Sequence, residues 1–133
     1  MSVVLFEGWM LGFRPVGDAA ASAVDPALCE IERLLHSYQA AWDAFAHAWM
    51  VVEVGDPAWV FKWRLEAEHK MKEAGSDGMS DEEVQAFVAR YMPAYTAYLP
   101  ELYTKGPTTA QPGRTLFIQV DEKRSLVGAR TLQ

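Results

Sequence analysis

A chain of 133 residues is one domain's worth, long enough to bury about two thirds of its unfolded surface. With 18 acids against 12 bases and a formal charge of -6, it lacks the basic surplus of a sequence-independent nucleic-acid binder, so no nucleic-acid partner is expected. The lone Cys29 excludes an intrachain disulfide and a cysteine-rich zinc site, and no apolar run approaches the roughly 20 residues that span a bilayer; the expectation is a cytoplasmic protein without a membrane partner.

Val3-Val4-Leu5-Phe6 predicts a strand covered on both faces, with Glu7 and Gly8 at its carboxyl end, where open α/β sheets place their ligands. A strand so near the start of the chain needs neighbours, and the chain therefore reads as the back half of an enzyme. Residues 12–23 are small and turn-rich. Asp25-Pro26 predicts a helix start, because aspartate can accept a first-turn amide and proline at the first helical position lacks an amide that would be unpaired anyway. Leu28, Ile31, Leu35, Tyr38, Trp42 and Phe45 then form one apolar stripe, suited to a helix packed on a sheet.

Trp49-Met50-Val51-Val52-Glu53-Val54 predicts a second strand. Gly55-Asp56-Pro57 stops it and opens a helix to about Glu73, ended by Gly75. The apolar face of that helix is Val60, Trp63, Ala67 and Met71, while Lys62, Arg64, Lys70 and Lys72 make it basic. Ser80-Asp81-Glu82-Glu83 is a capping box and not a metal site, and Val84, Phe87, Val88 and Tyr91 continue the helix it starts. Pro93 and Pro100 predict short or kinked turns over residues 93–103, since an interior proline loses a hydrogen bond and clashes with the preceding turn. Residues 104–113 read as a loop. Residues 115–120 read as a third strand ending in the polar turn Asp121-Glu122-Lys123-Arg124.

Glu7-Gly8 at a strand end can help organise Mg²⁺ near a transferring phosphate, but the pattern alone favours a common turn. Arg64 and its lysine neighbours can clamp phosphates, but the pattern alone favours a solvated face, part of whose charge is consumed by Glu66 and Glu68 in exposed pairs.

Together these segments resemble something more specific. Val3-Val4-Leu5-Phe6-Glu7-Gly8-Trp9-Met10-Leu11-Gly12-Phe13, Val60-Phe61-Lys62-Trp63-Arg64-Leu65-Glu66-Ala67-Glu68, Gly78-Met79-Ser80-Asp81-Glu82-Glu83-Val84 and Tyr91-Met92-Pro93-Ala94-Tyr95-Thr96-Ala97-Tyr98-Leu99-Pro100 resemble the carboxyl-terminal half of D-glycerate 3-kinases of the plant and cyanobacterial type. Ile118-Gln119-Val120-Asp121-Glu122-Lys123-Arg124 is similar to that family's closing strand and turn. The resemblance covers nearly the whole chain. It implies a partial three-layer α/β fold of the P-loop kinase type, with about three mainly parallel strands and flanking helices, as a single domain over residues 1–133. The activity it implies is transfer of the γ-phosphate of ATP to D-glycerate in photorespiratory salvage.

By the same resemblance, Glu7 organises Mg²⁺, Arg64 contacts phosphate from a solvent-facing lid helix, and Lys62 assists in nucleotide binding. Trp9 and Phe13 lie near the acceptor pocket, and Arg124 near the nucleotide base. Trp63, Tyr91, Tyr95 and Tyr98 are expected to pack. No Gly-x-x-x-x-Gly-Lys-Ser/Thr loop occurs in the sequence, so Mg-ATP is expected to bind tightly only in a complete enzyme, and the chain alone to be inactive. The alternatives are a stand-alone, non-catalytic interaction protein on the kinase fold, or one subunit of a split kinase. The missing sheet neighbour is expected to be replaced by residues 3–6 pairing with residues 50–54, by a second copy, or by a phosphate-loop-bearing partner chain.

Overall fold

The computed structural model describes residues 3–45 and 47–133. Its elements run α1 (Asp18–Val24), α2 (Leu28–Phe45), β1 (Trp49–Val54), α3 (Trp59–Glu73), α4 (Asp81–Ala89), α5 (Met92–Lys105), β2 (Thr115–Val120) and β3 (Leu126–Thr131). The architecture is mixed α/β, a three-stranded sheet of order β1-β2-β3 with flanking helices. β1 and β2 are parallel, from Trp49 opposite Thr115 to Val54 opposite Val120, and α3 to α5 make the long crossover that parallel strands require. β3 returns antiparallel to β2.

The helix starts follow the capping chemistry. The Oδ1 atoms of Asp25 and Asp56 accept the amides of Ala27 and Ala58, each at 2.8 Å, and α2 and α3 follow. At α4 the reciprocal box is complete: the Glu83 amide donates to Ser80 Oγ at 3.2 Å and the Ser80 amide to Glu83 Oε2 at 2.7 Å.

Four expectations need correction. Residues 3–6 lie outside the sheet, with Val3, Val4 and Leu5 almost fully exposed, and they do not pair with β1. Branched apolar residues supply strand propensity, but a strand forms only where a neighbour completes the ladder. The third strand is β3, whose side chains are mostly exposed, so no alternation marks it in the sequence. It is held by its ladder to β2 and by Arg130, which pairs with Glu53 on β1 while its guanidinium sits 3.7 Å from the Phe117 ring centroid. The turn-rich stretch after Gly12 contains α1, and the Gly17 amide ahead of it donates to Glu32 Oε1 at 2.6 Å. Finally, α5 is one continuous helix through Pro93 and Pro100. Pro93 occupies the first turn, where no amide is needed, and Pro100 faces solvent while Ala94, Tyr98, Leu99 and Leu102 are buried on the other side. Tertiary burial overrides the local cost of the proline.

The main core joins Phe13, Ala21, Leu28, Leu35, Trp42, Val51, Ala94, Tyr98, Leu99, Leu102 and Phe117. Val51 and Phe117 bring one face of the sheet into it. On the opposite face of β1, Met50 and Val52 remain 63% and 51% exposed. Among the described residues, no helix is long and apolar enough to cross a membrane.

Candidate functional site

Trp9 and Phe13 flank a tight turn. The Phe13 amide donates to the Met10 carbonyl at 3.0 Å, Met10 has φ 65° and Gly12 has φ 80°. A Cβ on Gly12 would come within 2.8 Å of the Pro107 ring, so both its backbone angle and its surroundings require glycine. The turn seats Phe13 in the core and leaves Trp9 half exposed. Trp9 Nε1 donates to the Tyr95 hydroxyl at 2.9 Å, and the Trp9 ring meets Tyr91 edge-on at a centroid distance of 4.6 Å. Burial raises the Tyr95 pKa, keeping its hydroxyl protonated.

Arg64 lies on α3, with Nη2 paired to Glu68 four residues on and its guanidinium 5.3 Å from the Phe87 ring centroid. Phe87 packs on Tyr91 at 5.0 Å. The aromatic series Phe13, Trp9, Tyr91, Phe87 therefore leads from the glycine turn to Arg64, connecting three of the residues singled out in the sequence. Arg64 is not simply a solvent-facing cation. Its side chain is 40% exposed and its Nε is buried, while Glu68 is fully buried, so their pair is not one of the exposed pairs expected from sequence.

Lys62 and Arg124 come together elsewhere, around Trp63. Lys62 Nζ pairs with Glu122 at 2.8 Å, Trp63 Nε1 donates to the Glu122 carbonyl at 2.7 Å, and Arg124 pairs with Glu66 while lying 5.6 Å from the Trp63 ring centroid. The bond to Glu122 raises the Lys62 pKa and holds the charge on. Asp121 Oδ1 fixes the turn by accepting the Lys123 and Ser125 amides, each at 2.8 Å. The helical period separates this cluster from Arg64 on α3, since positions 62 and 66 lie on a different side from 64 and 68.

Glu7 is exposed on the irregular segment before the glycine turn. Among the described residues no group of three or more His, Cys, Asp or Glu could hold a metal. Glu7 therefore does not fit a cage built by protein alone, but it does fit Mg²⁺ already carried by nucleotide phosphates, which takes only one or two carboxylates from the protein.

Sequence reading expected Glu68 in an exposed pair and missed its burial, Phe87 as a partner of Arg64, and Glu32. The Arg64–Glu68 pair had a signal in the Arg64-x-x-x-Glu68 spacing. Glu32 had one too: it lies four residues after Leu28 and three before Leu35, on the buried stripe. Its carboxylate holds the Gly17 amide and faces Tyr98, whose pKa is raised by burial and then by that negative charge.

No protein-family model matches the chain. It is 51% identical over 125 residues to the chloroplastic D-glycerate 3-kinase of Arabidopsis thaliana, covering 94% of this chain and 27% of that protein. A D-glycerate 3-kinase structure from Cryptococcus neoformans var. grubii superposes with a TM-score of 0.84 at 31% identity, covering 99% of this chain and 50% of that one. The chain is a homologue of D-glycerate 3-kinase. An uncharacterized kinase of Schizosaccharomyces pombe is also similar, 36% identical over 111 residues, covering 77% of this chain and 40% of that relative. The chain thus spans half or less of each of these kinases.

Proposed function

We propose that the chain is the carboxyl-terminal part of an ATP-dependent D-glycerate 3-kinase, transferring the γ-phosphate of Mg-ATP to D-glycerate when the phosphate-loop half is present. The observation that carries this is the superposition of nearly the whole chain on half of the Cryptococcus kinase. In the complete site, Glu7 contributes a carboxylate to nucleotide-borne Mg²⁺, Arg64 stabilises charge on the transferring phosphoryl group, and Trp9 lies near the acceptor pocket with the buried Phe13 packed behind it. Lys62 and Arg124 are its nucleotide-binding residues, each held in place by a carboxylate, Glu122 and Glu66. Such an enzyme would serve photorespiratory salvage in an aqueous compartment, the cytoplasm being our assignment.

The missing loop matters because phosphoryl transfer depends on positioning and on a ring of backbone amides that side chains cannot replace. The phosphate-loop half belongs on the open side of the sheet, where β1 has a free edge and Met50 and Val52 leave apolar surface uncovered; residues 3–5 expose apolar side chains of their own. That same surface favours a second reading, a split kinase whose phosphate loop resides on a partner chain. The test is D-glycerate-dependent ADP formation by the purified chain, alone and after joining or mixing with the phosphate-loop portion of a D-glycerate 3-kinase. Alone it should show no turnover, and complemented it should reach the kinase range of roughly 1 to 100 per second. Full turnover alone would refute the need for the second half, and failure of every complemented form would refute the kinase assignment.

A further inference from the structure

A buried carboxylate needs a reason. Glu68 is fully buried on α3, an environment that penalises an ionised group unless both oxygens are engaged. Here Oε1 receives Arg64 Nη2, and Oε2 receives the Met79 amide at 3.0 Å. The space around it is fitted: a Cβ on Gly78 would lie 2.9 Å from Oε2, so a larger residue at position 78 would push the carboxylate from its seat. The loop between α3 and α4 is pinned on its other side by His69, whose Nε2 lies 2.9 Å from Asp81 Oδ1, and by the Ser80–Glu83 box. Glu68 is thus attached to a hairpin that is stapled at several points.

The guanidinium that Glu68 holds is restricted on three sides. Nη2 is paired, the guanidinium carbon lies over the Phe87 ring at 5.3 Å from its centroid, and Nε is buried without an acceptor among the described residues. We infer that Glu68 is a positioning residue, which with Phe87 fixes the Arg64 guanidinium so that its remaining N–H groups are presented to a phosphoryl group without being reoriented during transfer. This inference rests on the assignment of Arg64 as the phosphate-contacting arginine. A purely structural ion pair would satisfy the arginine and be content with any orientation; a clamp has to be pre-set, because misplacement by about 1 Å can cost around a hundredfold in rate.

Two measurements test it. In the chain itself, nuclear magnetic resonance should show slow rotation about the Arg64 Nε–Cζ bond, and Glu68→Gln should free that rotation while leaving the Val84 and Val88 methyl signals in place. Free rotation in the wild-type chain would overturn the inference without any variant having to fold. In the complete kinase, Glu68→Gln should lower kcat about ten- to a hundredfold, with the KM for glycerate changed much less. Arg64→Lys should lower it similarly, since lysine keeps the charge but loses the planar fork. If Arg64→Lys is impaired and Glu68→Gln is not, Glu68 is merely structural and the inference falls while the role of Arg64 stands. If both variants keep full kcat, the role of Arg64 itself is wrong and takes the inference with it.

Discussion

The two faces of β1 are chemically alike and structurally opposite. Val51 is buried with Phe117, Tyr98 and Leu102, whereas Met50 and Val52, one residue to either side, stand in solvent. Parallel strands are normally covered on both faces, and the covered face has received helices that the other face lacks. Residues 3–5 repeat the contrast at the beginning of the described chain, with side chains fit for a buried strand left exposed, while Phe13 a few residues on is locked into the core. The difference teaches that this sequence completes one face of the sheet and leaves the other exposed, in a chain that spans half or less of the related kinases it matches.

Mutating the two faces sharpens the comparison most strongly. Phe117→Ala removes a fully buried ring from the covered face and should cost about 3 to 5 kcal/mol in urea unfolding. Val52→Ala on the open face should cost less than about 1 kcal/mol. Equal losses would mean that Val52 is covered in solution and that the faces do not differ.

A smaller effect should appear at alkaline pH. Burial and the neighbouring Glu32 raise the Tyr98 pKa, so the folded chain keeps that proton in a range where the unfolded chain, with a tyrosine pKa of about 10, releases it. The unfolded state then binds fewer protons, and stability falls as pH rises above about 10, by up to about 1.4 kcal/mol per pH unit for one such group. Tyr95 and Tyr103, also raised chiefly by burial, act in the same direction. Tyr98→Phe should flatten the fall without adding a new pH dependence near neutrality. An unchanged alkaline slope would show that Tyr98 does not titrate as a buried group on the covered side.

How much of this was legible in the sequence follows from where the controlling interactions are local. The Asp25, Asp56 and Ser80 starts depend on amides two or three residues away, and they were readable. The strands β1 and β2 were readable from their apolar runs. β3 was not, because its ladder and the Arg130–Glu53 pair are long-range. The continuity of α5 was obscured for the related reason that Pro100 could face solvent only once the opposite side of the helix was buried. At the candidate site, motif resemblance selected Trp9, Phe13 and Arg64, but their connection through Tyr91 and Phe87 required the tertiary structure.

The central claim is that the open side of the sheet is where the remainder of a D-glycerate 3-kinase packs. Hydrogen exchange on β1 and residues 3–5 tests it most directly, comparing the chain alone with the chain mixed with a D-glycerate 3-kinase from which the aligned segment has been removed. Amides of β1 bonded neither to β2 nor, like that of Val54, to the Tyr103 hydroxyl, together with those of residues 3–5, should exchange rapidly in the free chain and become protected as glycerate-dependent activity appears. Restored activity with these amides still exchanging at their free rates would contradict the account.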